Sequence, residues 1–224
     1  MTKIRKFAAL VILFLLCGHF NNIFAQENYY VEQQRTFYAG LIAGANFAQV
    51  DGDYFAGYYK FGANVGGVVY AQFAEHLAGS LEILYSQQGS KNNIERLTSV
   101  NGTPYVIQKY GINLNYAEIP VMINYFDKRK SHFGAGLAFE RLAASTEQLS
   151  TYPSPPPVDL TKYPFKNNGL EAIAGAELHL YKGLFLNVRF QYSIIPIRTD
   201  TPPNFSRAHQ FNNLWVVRFM YLFI

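Results

Sequence analysis

From residue 37 to the end of the chain, apolar side chains recur at every second position and seldom stand together for long. Leu170, Ala172, Ala174, Ala176, Leu178 and Leu180 alternate with Glu171, Gly175, Glu177, His179 and Tyr181. The next stretch sets Leu184, Leu186, Val188, Phe190 and Tyr192 against Asn187, Arg189, Gln191 and Ser193. Successive side chains of a strand leave opposite faces, so a period of two means β-structure, and no segment shows the 3.6-residue period of a helix. The pattern predicts an all-β chain of eight strands, at 37–47, 59–73, 77–89, 112–126, 132–143, 169–181, 184–197 and 211–224. Half of the residues are hydrophobic, yet beyond the N-terminus no apolar run approaches the ~20 residues of a membrane-spanning helix.

The connectors alternate in length. Short turns at Glu75-His76, at 127–130 and at Lys182-Gly183 take turns with long loops at 90–110, around the TYPSPPPVDL run, and at 201–203. Short turns at one end and long loops at the other are the habit of a transmembrane barrel, and an even strand count permits up-and-down closure. Alternation by itself also fits a soluble barrel with a greasy interior. Two features separate the cases. Aromatics such as Phe37, Phe47, Phe61, Phe73, Tyr125, Phe133, Tyr192, Phe211 and Phe223 stand near strand ends on the apolar face, as rings at two membrane interfaces would. The polar face holds small residues with isolated Glu and Arg rather than the many lysines of a wetted exterior, and only 15% of the chain is charged. The apolar face is therefore read as facing lipid, and the fold as an eight-stranded antiparallel up-and-down transmembrane barrel of the small outer-membrane kind. In hydrocarbon every peptide group must find a partner, which only a closed ring of strands supplies. Pro120 cannot donate to a ladder, so a bulge is expected there.

Residues 1–25 read as a cleaved export signal: Lys3, Arg5 and Lys6 precede a short apolar core, and Ala25 offers a cleavage point. Residues 26–35 are then a periplasmic lead-in and 36–224 the barrel. Removing the signal takes three of nineteen basic residues and none of the fifteen acidic ones, leaving sixteen against fifteen and no basic surplus for nucleic acid. The single cysteine, Cys17, leaves with it, which excludes disulfides and thiolate chemistry.

The lumen-facing ionisable residues are Glu82, Glu118, Glu140, Glu177, Arg189 and Arg218. A buried charge without a partner is costly, so a compensated ion network plugging the barrel is expected, with Glu177 pairing with Arg189 and drawing in Arg218 and Glu82. A proton relay is the functional alternative. In the Pro-rich loop, Tyr152, Pro155, Pro156, Tyr163 and Phe165 form a candidate recognition surface, since the proline run favours an extended backbone. Ser206 and His209 are the rim candidates for catalysis and look like ordinary loop residues. His179 lacks a second histidine at ligand spacing, and Asp51 with Asp53 lacks the later acidic positions of a calcium loop. No catalytic residue, metal or cofactor is expected.

The stretches AGLIAGANFAQVDGD, SLEILYSQQGSK (80–91), NYAEIPVMINY (115–125), HFGAGLAFE (132–140) and the aromatic last strand together make the chain resemble the outer-membrane β-barrel domain family abundant in Bacteroidetes, called porin-like or PorT-like. The resemblance covers nearly the whole chain after the signal. It implies a Gram-negative outer-membrane barrel surrounded by outer-membrane lipid, and says little about activity. With the lumen glutamates walled in by strands, no enzyme is expected; a structural or interaction role is, with the loops carrying any recognition of other envelope proteins and the barrel a monomer. The family includes barrels linked to protein secretion, so a part in a secretion or assembly machine is the first alternative role; a narrow small-solute channel and a rim enzyme are the others.

Overall fold

A computed structural model describes residues 36–92, 94–127, 131–202 and 206–223. The segments assigned to the export signal (1–25) and to the periplasmic lead-in (26–35) lie outside the described residues. Nine strands follow in order: β1 (Phe37–Asp53), β2 (Lys60–Ala74), β3 (Leu77–Lys91), β4 (Arg96–Val100), β5 (Thr103–Phe126), β6 (His132–Tyr152), β7 (Asn168–Tyr181), β8 (Leu184–Ser193) and β9 (Ser206–Leu222). All but β4 form one ring. Its spatial order is β3-β2-β1-β9-β8-β7-β6-β5, closed by antiparallel pairing of β5 with β3. First and last strands meet in the same way, from Gly40 opposite Leu222 to Asp51 opposite Phe211.

The eight expected strands are these eight, with different ends. At the end bearing the long connections, β1, β5 and β6 run well past the limits of alternation. Beyond the bilayer both faces meet water or protein rather than lipid, so the contrast that alternation records disappears while backbone pairing continues. The loop expected at 90–110 instead holds β4, joined to β5 by Asn101 (φ 51°) and Gly102 (φ 81°). Two consecutive left-handed residues make the tight turn that Asn-Gly favours, since neither pays the usual side-chain penalty there. Pro120 introduces no bulge. It stays in register with Ala138 on β6, and on the β3 side the ladder lapses between Leu81–Val121 and Leu84–Glu118 without shifting. The missing N–H costs a rung, not a residue.

The faces divide as the alternation implies. Phe37, Leu41, Phe61, Val69, Ile123, Leu137 and Phe219 project outward, while Ile42, Asn46, Tyr70, Glu118, Arg189 and Arg218 point inward. Two bands of outward aromatics result: Phe37, Phe73, Tyr125, Phe133 and Tyr221 at the short-turn end, and Phe47, Phe61, Tyr85, Phe139 and Trp215 toward the other. Between them Leu41, Val65, Val69, Ile83, Val121 and Leu137 make an apolar belt. In water this belt would be a large unfavourable exposure; in hydrocarbon it is the solvation the fold requires.

Candidate functional site in the barrel interior

Three layers fill the lumen. At the short-turn end, Ile42, Val68, Leu84, Phe185, Met220 and Leu222 pack around Tyr70. His132 lies among them, its ring stacked on Phe126 at 4.1 Å and its Nε2 3.1 Å from the Tyr70 hydroxyl and 3.3 Å from Glu177 Oε2.

The middle layer is polar. Arg189 and Arg218 both reach Glu82 Oε1, at 2.6 and 2.8 Å, and all three side chains are essentially inaccessible. Asn187 Oδ1 receives the Nε of each guanidinium, and Asn64 Oδ1 receives Arg218 Nη1. Each arginine sits opposite a glycine on the adjoining strand: Gly44 faces Arg218 and Gly175 faces Arg189. A Cβ at Gly44 would overlap the Cα and Cβ of Arg218, so the glycine is what lets the long side chain leave the wall. Nearer the loop end, Gln191 Nε2 donates to Glu118 (2.7 Å) and to Glu171 (2.9 Å), and Gln88 Nε2 donates to Glu140 (2.6 Å).

The third layer caps the ring at the loop end. Val50, Phe55, Ile107, Tyr110, Ile112, Leu114, Tyr116 and Ile197 form a buried cluster. Above them the Arg198 guanidinium pairs with both oxygens of Glu147, lies 3.7 Å over the Phe165 ring, and shares Glu147 with the Tyr110 hydroxyl. On the other side of the mouth, Asp53 accepts from Phe55 N–H (2.7 Å) and Ser90 Oγ (2.8 Å).

These positions revise several expectations. Glu82, Arg189 and Arg218 meet, but Glu177 does not pair with Arg189; Asn187 Nδ2 and His132 hold it instead. Glu118 and Glu140 lie directly across from each other on β5 and β6, bonded to glutamine amides rather than to guanidiniums, so the network is not a one-for-one compensation. Glu171, Gln191, Gln88, Asn187, Asn64 and His132 complete the constellation and were not singled out from sequence. Their parity was legible, since each shares the inward face of its strand. Their depth was not, because it depends on how far neighbouring strands are staggered.

In the Pro-rich loop Tyr152 and Pro155 are exposed and Pro156 and Tyr163 half-buried. Phe165 departs from the expected surface: it packs onto the inner cluster under Arg198. His179 sits at the short-turn end, with its ring beside Phe185 and its Nε2 near the Lys182 carbonyl. His209 Nδ1 lies 3.0 Å from the Thr199 carbonyl, whereas Ser206 Oγ accepts from Gln210.

A closed ring with an apolar belt outside and side chains filling the inside defines a β-barrel that spans a membrane. The chain belongs to the family described as the outer membrane protein beta-barrel domain, whose model matches residues 24–198. Solved structures of similar fold include the attachment invasion locus protein Ail of Yersinia pestis, with 8% identity and a TM-score of 0.41 over 84% of this chain and all of that one. Neisserial surface protein A matches with 12% identity and a TM-score of 0.43, over 84% of this chain and 97% of that one. The outer membrane protein AlkL matches with 13% identity and a TM-score of 0.40, over 89% and 97%. No curated protein matches the chain.

Proposed function

We propose that the protein acts as a closed anchor in a Gram-negative outer membrane, exported by its N-terminal signal, and presents its loop end to another molecule of the cell envelope or its surroundings. The observation that carries this reading is the filling of the lumen: two buried apolar clusters lie at opposite ends, with a hydrogen-bonded polar layer between them. Moving an ion through it would mean breaking the pairing of Arg189 and Arg218 with Glu82, and separating buried charges is costly. The body of the barrel is thus a support rather than a conduit or a catalytic cleft, and what varies chemically lies at the loop end.

Reconstitution into planar bilayers tests this. The expected result is no steady current at either polarity, and a stable open conductance from a verified single barrel would overturn the reading. A role as one component of a secretion or assembly machine is compatible with it, with native-envelope cross-linking from Tyr152 as the measurement that separates a machine part from a solitary barrel.

A further inference from the structure

Between its two apolar caps the lumen holds Glu82, Glu118, Glu140, Glu171 and Glu177, each at most 1% exposed, against the guanidiniums of Arg189 and Arg218. Glu82 takes both guanidiniums, and Glu177 lies against Asn187 and His132. The other three stand on successive strands of the ring, β5, β6 and β7, where amides and hydroxyls bond to them and, among the described residues, no guanidinium, ammonium or imidazole does. Arg189 acts on Glu118 only from a distance. Carboxylates sealed from water without a partner are too costly to persist, so this layer must take positive charge from another source.

Glu118 and Glu140 are directly opposed on β5 and β6, and Glu171 on β7 has Ala138 as its register partner, two residues before Glu140. Glu140 Oε1 accepts from Gln88 Nε2 at 2.6 Å, while its Oε2 receives no donor and turns toward β7, 2.7 Å from where Gly169 would carry a Cβ. On that side the Glu140 carboxyl comes within hydrogen-bonding reach of the Glu171 carboxyl. Glu171 in turn accepts from Gln191 Nε2 at 2.9 Å and from Ser193 Oγ at 3.4 Å. Ionised carboxylates only accept, so two of them in contact repel unless a hydrogen lies between, and a protonated carboxyl has the one O–H that completes such a bond. We propose that Glu140 and Glu171 are a proton-binding site, with a single proton carried on Glu140 and donated to the Glu171 carboxylate. The proton ties β6 to β7 one rung below the end of their backbone pairing, at Arg141 opposite Asn168.

The ligand is a proton rather than a metal ion. Amide nitrogens of Gln88 and Gln191 stand against the carboxylates where a cation would have to sit, and among the described residues no three His, Cys, Asp or Glu side chains converge on a metal position. The proton is also stored rather than relayed. Between Glu171 and Glu118 the connection is the Gln191 amide, which donates to both and has no proton to exchange. The titratable groups facing the pair are Glu118 and Tyr116 from β5, with Glu82 from β3 and Arg189 from β8 beyond Glu118; β9 contributes the neutral Asn212, bonded to Tyr116. Glu118 keeps the field of Arg189 and a bond from the Ser86 hydroxyl, so the unpaired carboxyls of this layer are not left with three full charges.

The test is infrared spectroscopy of the full chain in lipid vesicles at neutral pH, read at the carbonyl stretch of a protonated carboxyl group, which lies above the amide bands and moves down after refolding in heavy water. The band is expected in the wild type and in Glu118→Gln, and its loss is expected in Glu140→Gln and in Glu171→Gln. Glutamine at 140 also puts an N–H where the proton was, so the urea midpoint of E140Q should match or exceed that of the wild type, whereas E82Q, which strips two guanidiniums of their anion, lowers it. A fall in E140Q as large as that in E82Q, or failure of E140Q to fold, would overturn the shared proton. A band that survives in both E140Q and E171Q, or that disappears in E118Q, would place the proton elsewhere and overturn the assignment. No band in the wild type would overturn it as well, and a midpoint that then rises with calcium chloride and falls with chelator would identify a metal ion as the neutralising charge. The planar-bilayer measurement is independent of these results: a barrel that passes no current and shows no band loses the proton site and keeps the closed-anchor reading.

Discussion

Replacing Glu82→Gln removes one negative charge from a point where two guanidiniums converge. Arg189 and Arg218 donate to the same oxygen, Glu82 Oε1, at 2.6 and 2.8 Å, and the three side chains are at most 1% exposed. Glutamine preserves shape and can still accept, so packing is nearly unchanged and the effect is electrostatic. Stripping the partner from a buried ion pair costs about 3–5 kcal/mol, and here two cations lose one anion. Glu177 and Glu118 lie near Arg189 and temper the loss, which favours the lower end, about 3 kcal/mol. Urea unfolding from lipid vesicles measures it, with the only tryptophan, Trp215, as reporter on the lipid face 5.2 Å from Phe190. With a slope of about 1–3 kcal/mol per molar, the midpoint should fall by about 1–3 M. Arg218→Gln should cost less, since it leaves one guanidinium facing one carboxylate. Equal midpoints for wild type and E82Q would refute the reasoning, and so would a larger loss from R218Q than from E82Q.

Three further outcomes follow from the same geometry. Leu41→Arg, in the middle of the apolar belt, should lower stability by about 2–4 kcal/mol in the same vesicles, while Phe37→Arg at the rim should cost about 0–1 kcal/mol; equal costs would put the belt elsewhere. Gly44→Val forces a Cβ into Arg218 across the β1–β9 pair, so the heat-resistant form should drop sharply, whereas Gly102→Ala strains only the left-handed β4–β5 turn (φ 81°), which lies outside the closed ring, and should leave that form intact. Asp53 lies at the loop end, six positions beyond Phe47, and burial pushes its carboxyl up to about 6 from the usual 3.8, against the hydrogen bonds from Ser90 and Phe55 and the charge of Arg207. Because the folded state holds this proton more tightly than the open one, its stabilisation is full below pH ~4 and lost as pH rises to about 6. The protection factor of the Phe55 amide, corrected for intrinsic exchange, should therefore fall between those limits, and Asp53→Asn should flatten the profile.

Much of the barrel is legible in the chain because lipid and lumen impose opposite demands on alternate residues. Leu178 and Val217 face outward, and Glu177 and Arg218 inward, by parity alone. The glycines opposite the two arginines belong to the same pattern, though only the register shows which glycine serves which arginine. The 90–110 segment reads as one long loop, and the structure instead folds a hairpin in it around Asn101-Gly102. What parity cannot give is height. Glu82 meets Arg189 across 107 positions of sequence and Arg218 across 136, and those meetings depend on the stagger accumulated around a closed ring.

The sequence by itself determined that this chain is built of strands, through its two-residue period, and turned the apolar face to lipid through the aromatics at strand ends and the small, sparsely charged residues of the opposite face. Only the tertiary structure decided that Glu177 goes to Asn187 and His132 rather than Arg189, that Phe165 turns inward, and that β6 outruns β7 into water. Each of these depends on strand stagger or on where closure ceases to be compulsory, and neither leaves a mark on the alternation of a single strand.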